Sequence, residues 1–206
     1  MIVVVDYGVN NLRSVVRALA AGGHAAELTS DPARVRQATR LLGPGVGNFG
    51  QAARNLATSG LDDAIRTVAG AGRPVMGICL GLQLFFPSSE EAPGVNGLGL
   101  LPGTVRRFRV DLPIPHVGWA EVQLTPDGAR HPMLGPLFQG ELRHFYHVHS
   151  FHPADLPPGV ALATADYGGP FPTLVGRNNV VGAQFHPEKS QRAGIDLLAR
   201  FVAWQP

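Results

Sequence analysis

The one cysteine of the chain, Cys79, lies within Gly77-Ile78-Cys79-Leu80-Gly81. That pentapeptide has the form of a nucleophile elbow, a sharp turn from strand into helix, with Cys where hydrolases often carry Ser. A residue on such a turn holds strained dihedrals, and its neighbours two positions away must be small so that strand and helix can approach. At a helix N-terminus the exposed amides and the dipole favour thiolate over thiol. The same residues also fit a buried core cysteine between two packing glycines. A thiolate nucleophile calls for an imidazole, and among eight histidines His186 stands out at the end of the apolar run 180–185. Residues i and i+2 of extended chain face the same way, so Glu188 can orient that ring and stabilise imidazolium. His-Pro-Glu alone reads equally well as a surface turn; combined with the elbow it points to catalysis.

Two other groupings have simpler uses than the chemistry they suggest. His144, His147, His149 and His152 include a pair sharing one strand face, as a metal site would need. No Asp or Glu lies among them to complete it, so hydrogen-bonded pocket histidines are the better reading and no metal is expected. Pro44-Gly45-Val46-Gly47 could cradle a phosphate, but Asn48-Phe49 follows where Lys and Ser or Thr would be required. A loop of amides that binds an oxyanion fits better.

Positioning these residues requires alternating strands and helices. Residues 1–5 form a β-branched run ending in Asp6-Tyr7-Gly8, and Leu12, Val15, Val16 and Leu19 then fall on one helical face before Gly22-Gly23. Strands are expected at 25–29, 39–42 and 73–78, with helices opening at Asp31-Pro32 and over 61–68. Residues 43–47 read as a glycine loop. Alternation of this kind implies an open, mainly parallel α/β sheet with helices on both faces and the active edge at the carboxyl ends of its strands. Short strands broken by Pro and Gly over 98–184 imply an antiparallel extension, with candidates at 117–124, 144–151, 160–165 and 180–185. A closing helix over 192–204 should bury Ile195, Leu198, Ala199 and Val202. No linker or repeat divides the 206 residues, so one domain spanning 1–206 is expected.

Composition narrows the classes further. Charged residues are 16% and apolar residues 45%, which excludes a disordered chain, and Gly 26 with Pro 18 shows no collagen-like period. A lone cysteine offers no intrachain disulfide. Apolar runs are too short to span a bilayer and the first residues lack a leader pattern, so a cytoplasmic protein without membrane contact is expected. A formal charge of +2, with one dense basic cluster at Arg106, Arg107 and Arg109, argues against a nucleic-acid partner.

With these residues in view, the chain resembles the class I (triad) glutamine amidotransferases over nearly its whole length. Gly-Ile-Cys-Leu-Gly-Leu-Gln at 77–83 is similar to their nucleophile motif, and Gln184-Phe185-His186-Pro187-Glu188 to their His-Glu motif. Four further pieces resemble one branch, the glutaminase subunits of imidazole glycerol phosphate synthases: Asp6-Tyr7-Gly8 with Asn11-Leu12-Arg13-Ser14, Pro44-Gly45-Val46-Gly47, Pro115-His116-Val117-Gly118-Trp119, and Glu188-Lys189-Ser190. The second and third of these tell against the alternative branches serving anthranilate, carbamoyl phosphate or pyridoxal phosphate synthesis. The chain departs from the branch at Asn10, often Gly, and at Ala120, often Asn.

The resemblance implies that Cys79 attacks the carboxamide of glutamine, that His186 shuttles the proton and that Glu188 orients it. It places the oxyanion donors at the amides of Val46 and Leu80, and the glutamine contacts at Gly47, Gln83, Glu91, His149 and Ser150. No cofactor is implied. Ammonia released into neutral water is largely protonated and no longer nucleophilic, so a second subunit must receive it. In this branch that partner is a (β/α)8-barrel cyclase, forming a heterodimer and making imidazole glycerol phosphate and an aminoimidazole carboxamide ribonucleotide for histidine biosynthesis. Such a barrel needs about 250 residues, more than this chain has. Trp119, Tyr146 and Lys189 are the interface residues that the resemblance implies.

Overall fold

In the computed structural model, which describes residues 1–139 and 143–206, the β-branched start of the chain forms β1 (Ile2–Val5), followed by α1 (Leu12–Ala21), β2 (Ala26–Thr29), α2 (Pro32–Arg36) and β3 (Arg40–Gly45). Next come α3 (Phe49–Ser59), α4 (Leu61–Gly70), β4 (Val75–Cys79) and the single-turn α5 (Leu80–Gln83). The second half holds β5 (Thr104–Arg107), β6 (His116–Leu124), α6 (Pro126–Arg130), α7 (Gly135–Phe138), β7 (Arg143–His149) and β8 (Phe151–Ala154). It ends with β9 (Ala161–Asp166), β10 (Pro170–Arg177), β11 (Val180–Ala183), a 3₁₀ turn (Pro187–Lys189) and α8 (Gln191–Ala203).

Nine strands form one mixed sheet in the order β2-β1-β3-β4-β11-β10-β9-β6-β7, and β5 pairs with β8 in a separate ribbon. The first five in that order are parallel to one another, and each later neighbour is antiparallel. Side-chain alternation splits the core between two faces. Val3, Val5, Leu41 and Val75 meet α3 and α4 through Leu56, Leu61 and Val68. On the other face Val4, Leu42, Met76 and Ile78 meet α1 and α8 through Val15, Leu19, Leu197 and Phe201. The α/β sheet with helices on both faces and an antiparallel second half is therefore the architecture found. Among the described residues no helix is long and apolar enough to cross a membrane.

Several local expectations differ from the structure. Residues 43–45 are the end of a strand rather than a loop: Gly43 pairs with Gly77 and Gly45 with Cys79. The glycines there serve close approach. A Cβ on Gly81 would overlap the Gly43 carbonyl oxygen, so α5 lies directly on β3. Helix α3 is an element that the sequence pattern did not signal. Its inner face is built of Phe49, Ala52, Ala53 and Leu56, and Asn48 caps it by accepting from the Gln51 amide at 3.0 Å. Strands β5 and β10 were also unforeseen, and β11 is the parallel neighbour of β4 rather than a purely antiparallel strand. Helix α8 buries Gly194, Leu197, Leu198 and Phe201, a face rotated from the expected one because Gly194 packs against the Pro187 carbonyl. Two arginines of the basic cluster are paired, Arg106 with Asp155 at 2.6 Å and Arg109 with Glu90 at 2.9 Å.

The contact between α5 and β3 predicts that Gly81→Ala destabilises the fold by about 3 kcal/mol, because backbone must move to admit one methyl group. A urea unfolding midpoint indistinguishable from that of the parent chain would contradict this.

Candidate active site

Strand β4 delivers Cys79 to the carboxyl edge of the sheet in a conformation, φ 53° and ψ −109°, that an L-residue adopts only under constraint. Its flanking glycines explain how. A Cβ on Gly77 would stand 2.6 Å from Leu82 Cα, and Gly81 is the residue pressed on β3. The elbow thus folds as its spacing suggests. Helix α5 is only four residues long, however, so exposed amides rather than a long helix dipole are what it offers the sulfur.

The neighbouring parallel strand β11 brings the second group. Ala183 pairs with Ile78, and the chain beyond carries Gln184 and His186 past Cys79. Glu188 does not reach His186 along an extended strand, as i and i+2 spacing would have it. Pro187 opens a 3₁₀ turn, and from that turn Glu188 Oε1 meets His186 Nδ1 at 2.7 Å. Both side chains are inaccessible to solvent. The other ring nitrogen, Nε2, is buried without a hydrogen-bond partner, which leaves it for the Cys79 sulfur. Burial disfavours charge on this imidazole, but the adjacent Cys79 and Glu188 outweigh it and raise its pKa to about 10.

The main chain around His186 is laced to β7. Its amide donates to the Tyr146 carbonyl at 2.8 Å, and Ser190 Oγ donates to the His186 carbonyl at 2.6 Å while accepting from the Tyr146 amide at 3.0 Å.

A cleft of about 230 Å³ opens in front of Cys79, lined by Val46, Gly47, Leu80 and Gln83 on one side and Glu91, His149 and Ser150 on the other. These are residues 46, 47, 80, 83, 91, 149 and 150 expected from the sequence, gathered from four separate stretches of chain. Val46 is bridged to Asn10, the position that departs from the branch pattern. Glu91 already has work in the fold, accepting from the Phe49 amide at 2.9 Å and from Asn48 Nδ2 at 3.1 Å. Gln83 Nε2 donates to the Phe151 carbonyl and to Gln184 Oε1, both at 3.2 Å, so its Oε1 is the end left for a ligand. His149 donates from Nδ1 to the same Phe151 carbonyl at 2.8 Å, and its Nε2 is buried and unpartnered. Burial above all, with neighbouring imidazoles, holds His149 neutral and well below the usual histidine range. The acceptors around this cleft suit an ammonium group.

Trp119, Tyr146 and Lys189 lie away from the cleft but together. Trp119 and Tyr146 are cross-strand partners with ring centroids 6.1 Å apart, and Lys189 Nζ sits 5.6 Å from the Tyr146 centroid. Trp119 is 48% exposed beside Val117 at 57%. His147 stacks on His116 at 4.9 Å and bonds the Phe145 carbonyl and Thr173 Oγ1, a packed role rather than a ligating one. Among the described residues no set of three or more His, Cys, Asp and Glu is arranged around a metal position.

Two residues at the site were not singled out from the sequence as site residues. Asn11, in the left-handed conformation at the start of α1, donates to Glu188 Oε1 at 2.6 Å. Gln184 Nε2 lies 3.8 Å from Cys79 Sγ. The spacing used for Glu188 would have found Gln184 if counted backwards from His186. Nothing local marks Asn11, whose contact spans 177 positions.

A profile of glutamine amidotransferase class-I proteins matches residues 3–204. The chain belongs to the class-I glutamine amidotransferase family. It is 48% identical over 202 residues to an imidazole glycerol phosphate synthase subunit HisH of Symbiobacterium thermophilum, covering 97% of this chain and 92% of that one. It is 44% identical to the HisH subunit of Moorella thermoacetica over 202 residues, covering 97% and 93%. Among solved structures, a glutamine amidotransferase crystal structure superposes with a TM-score of 0.77 at 20% identity, covering 98% of this chain and 97% of that one, a likeness in fold. This amidotransferase is therefore an enzyme whose relatives are subunits of a larger synthase.

The buried imidazoles make stability pH-dependent with a definite sign. His147, lowered to about 3 chiefly by burial, and His149 take up protons in the unfolded chain before the folded one, so the stability tied to their neutral forms is present above the ordinary histidine value of 6.5 and lost as pH falls below it. His186 works oppositely: its contribution is full below 6.5 and is lost as pH rises towards about 10. Below 6.5 it no longer contributes to the slope. Unfolding free energy should therefore drop between pH 6.5 and 5, by about 1 kcal/mol per pH unit for His147 and in the same direction for His149. Urea titrations over that interval with a flat or rising midpoint would refute the assignment of neutral histidines.

Proposed function

We propose that this amidotransferase hydrolyses glutamine to glutamate and ammonia through Cys79, His186 and Glu188, and that it passes the ammonia to a (β/α)8-barrel cyclase partner within an imidazole glycerol phosphate synthase of histidine biosynthesis. The observation that carries the chemistry is the 2.7 Å contact of Glu188 with His186, whose free Nε2 is left beside the strained Cys79 at the mouth of a polar cleft. The partner reading is supported by the full-length likeness to synthase subunits.

Glutamine enters with its ammonium towards Glu91, Gln83 Oε1 and His149, and its carboxamide against Cys79. The thiolate attacks the carboxamide carbon, and the negative charge that develops on oxygen is met by the amides of Val46 and Leu80, a contribution of about 3 kcal/mol for a donor of this kind. His186 gives its proton to the departing nitrogen, the C–N bond breaks and a glutamyl thioester remains. Water, deprotonated by the same imidazole, then attacks the thioester, releasing glutamate and restoring the thiolate beside the protonated imidazole. Glu188, itself held by Asn11, keeps Nδ1 occupied so that Nε2 does this work.

Ammonia must leave without meeting bulk water, and the exposed Trp119 with Val117, Tyr146 and Lys189 forms the docking face for the subunit that receives it. Tyr146 touches that partner on one side and the His186 main chain on the other. Residues 1–206 act as one domain in this scheme.

Cys79→Ala should abolish glutamine-dependent synthesis by the assembled complex and leave ammonia-dependent synthesis intact; a variant that still releases glutamate at the parent rate removes the nucleophile from the scheme. Trp119→Ala should weaken binding of the purified cyclase by about tenfold or more, as truncation of a central aromatic anchor does. Titration calorimetry giving an unchanged Kd would place the docking face elsewhere.

A further inference from the structure

Gln184 is fully buried, and its Nε2 stands in hydrogen-bond geometry 3.8 Å from Cys79 Sγ. A carboxamide can turn either end to a neighbour, so what faces the sulfur is decided by what the opposite end touches. A backbone carbonyl decides it here. Phe151 O can only accept, which makes the Gln83 atom 3.2 Å from it the Nε2 amide. That same Nε2 donates to Gln184 Oε1 at 3.2 Å, and the Gln184 NH₂ is thereby turned towards Cys79. His149, from the cleft wall, anchors the chain of contacts by donating to the same Phe151 carbonyl.

We infer that Gln184 is a catalytic residue that donates a hydrogen bond to the Cys79 thiolate, in an orientation imposed by Gln83 and the Phe151 carbonyl. The inference rests on the reading of Cys79 as the nucleophile and adds a group to it. Hydrogen bonds to an anion are stronger than those to a neutral acceptor, so the donor favours the ionised sulfur over the thiol and over the thioester. It therefore stabilises the form that attacks and the form that leaves when water cleaves the thioester. No new bond is made or broken, and the proton still travels through His186. The titratable groups around the sulfur are Tyr7 beyond β1, His186 with Glu188 beyond β11, and His149 and Glu91 across the cleft. None of them reproduces a fixed neutral donor.

The test is the pH dependence of Cys79 alkylation by iodoacetamide in the full chain, unambiguous because no other cysteine is present. Gln184→Met keeps the length of the side chain and removes the donor. It should raise the alkylation midpoint by about one pH unit and lower kcat for glutamine about tenfold with little change in KM. Gln184→Glu replaces the donor by an acceptor and should raise the midpoint further, while Gln83→Met, which only frees the orientation, should raise it less. Far-UV circular dichroism and a cooperative melt identify which variants fold, and each reports independently. A folded Gln184→Met or Gln184→Glu protein with the parent midpoint overturns the inference, as does a folded Gln83→Met protein shifted as far as Gln184→Met. Parent protein that keeps hydrolysing glutamine after complete alkylation would overturn the nucleophile reading instead.

Discussion

Parallel pairing of β4 with β11 is the constraint on which the site depends. Val75, Met76, Gly77 and Ile78 run beside Val180, Val181, Gly182 and Ala183, and both strands end at the same edge of the sheet. That pairing brings together segments about a hundred positions apart and fixes the distance at which Cys79 meets Gln184 and His186. The register cannot slip by one residue, because doing so would turn Met76 and Ile78 out of the core shared with α1 and α8. The core faces thus determine the geometry of the chemistry, through two short runs buried on both sides of the sheet.

The electrostatics divide along the same line. Histidines 147 and 149 are packed among aromatic rings and backbone carbonyls, where nothing compensates a charge, and they remain neutral. His186 is as deeply buried, yet it has a carboxylate on one nitrogen and a sulfur near the other. Identical side chains a few ångströms apart are set to opposite charge preferences by their partners alone. Glu188 is in turn held by Asn11 at the start of α1, so the ion pair is anchored from two sides of the sheet edge.

Much of this was legible in the sequence, and the exceptions have physical reasons. The elbow was visible because small residues are demanded at 77 and 81 by steric contact, and the parallel half because β1, β4 and β11 are short buried runs free of charged residues. Residues 43–45 misled because glycine that admits a neighbouring helix has the same local signature as glycine that turns a loop. Helix α3 escaped notice because its buried side is mostly alanine and glycine, which carry little hydrophobic contrast. Glu188 was paired with the right partner by the wrong route, since Pro187 begins a turn instead of continuing a strand. Gln184 stood at the same spacing from His186 on the other side and was open to the same count, whereas Asn11 acts through a contact 177 positions away, where neither periodicity nor composition leaves a trace.

The lacing of His186 to Tyr146 and Ser190 has a structural consequence. Two hydrogen bonds join the turn that carries the imidazole to β7, a third braces the turn itself, and the half-buried Tyr146 of β7 lies edge-on to the exposed Trp119 of β6. The shortest bonded route from the Trp119–Tyr146 pair to the imidazole therefore runs main chain to main chain, from the Tyr146 carbonyl to the His186 amide, and bypasses the cleft in front of the sulfur.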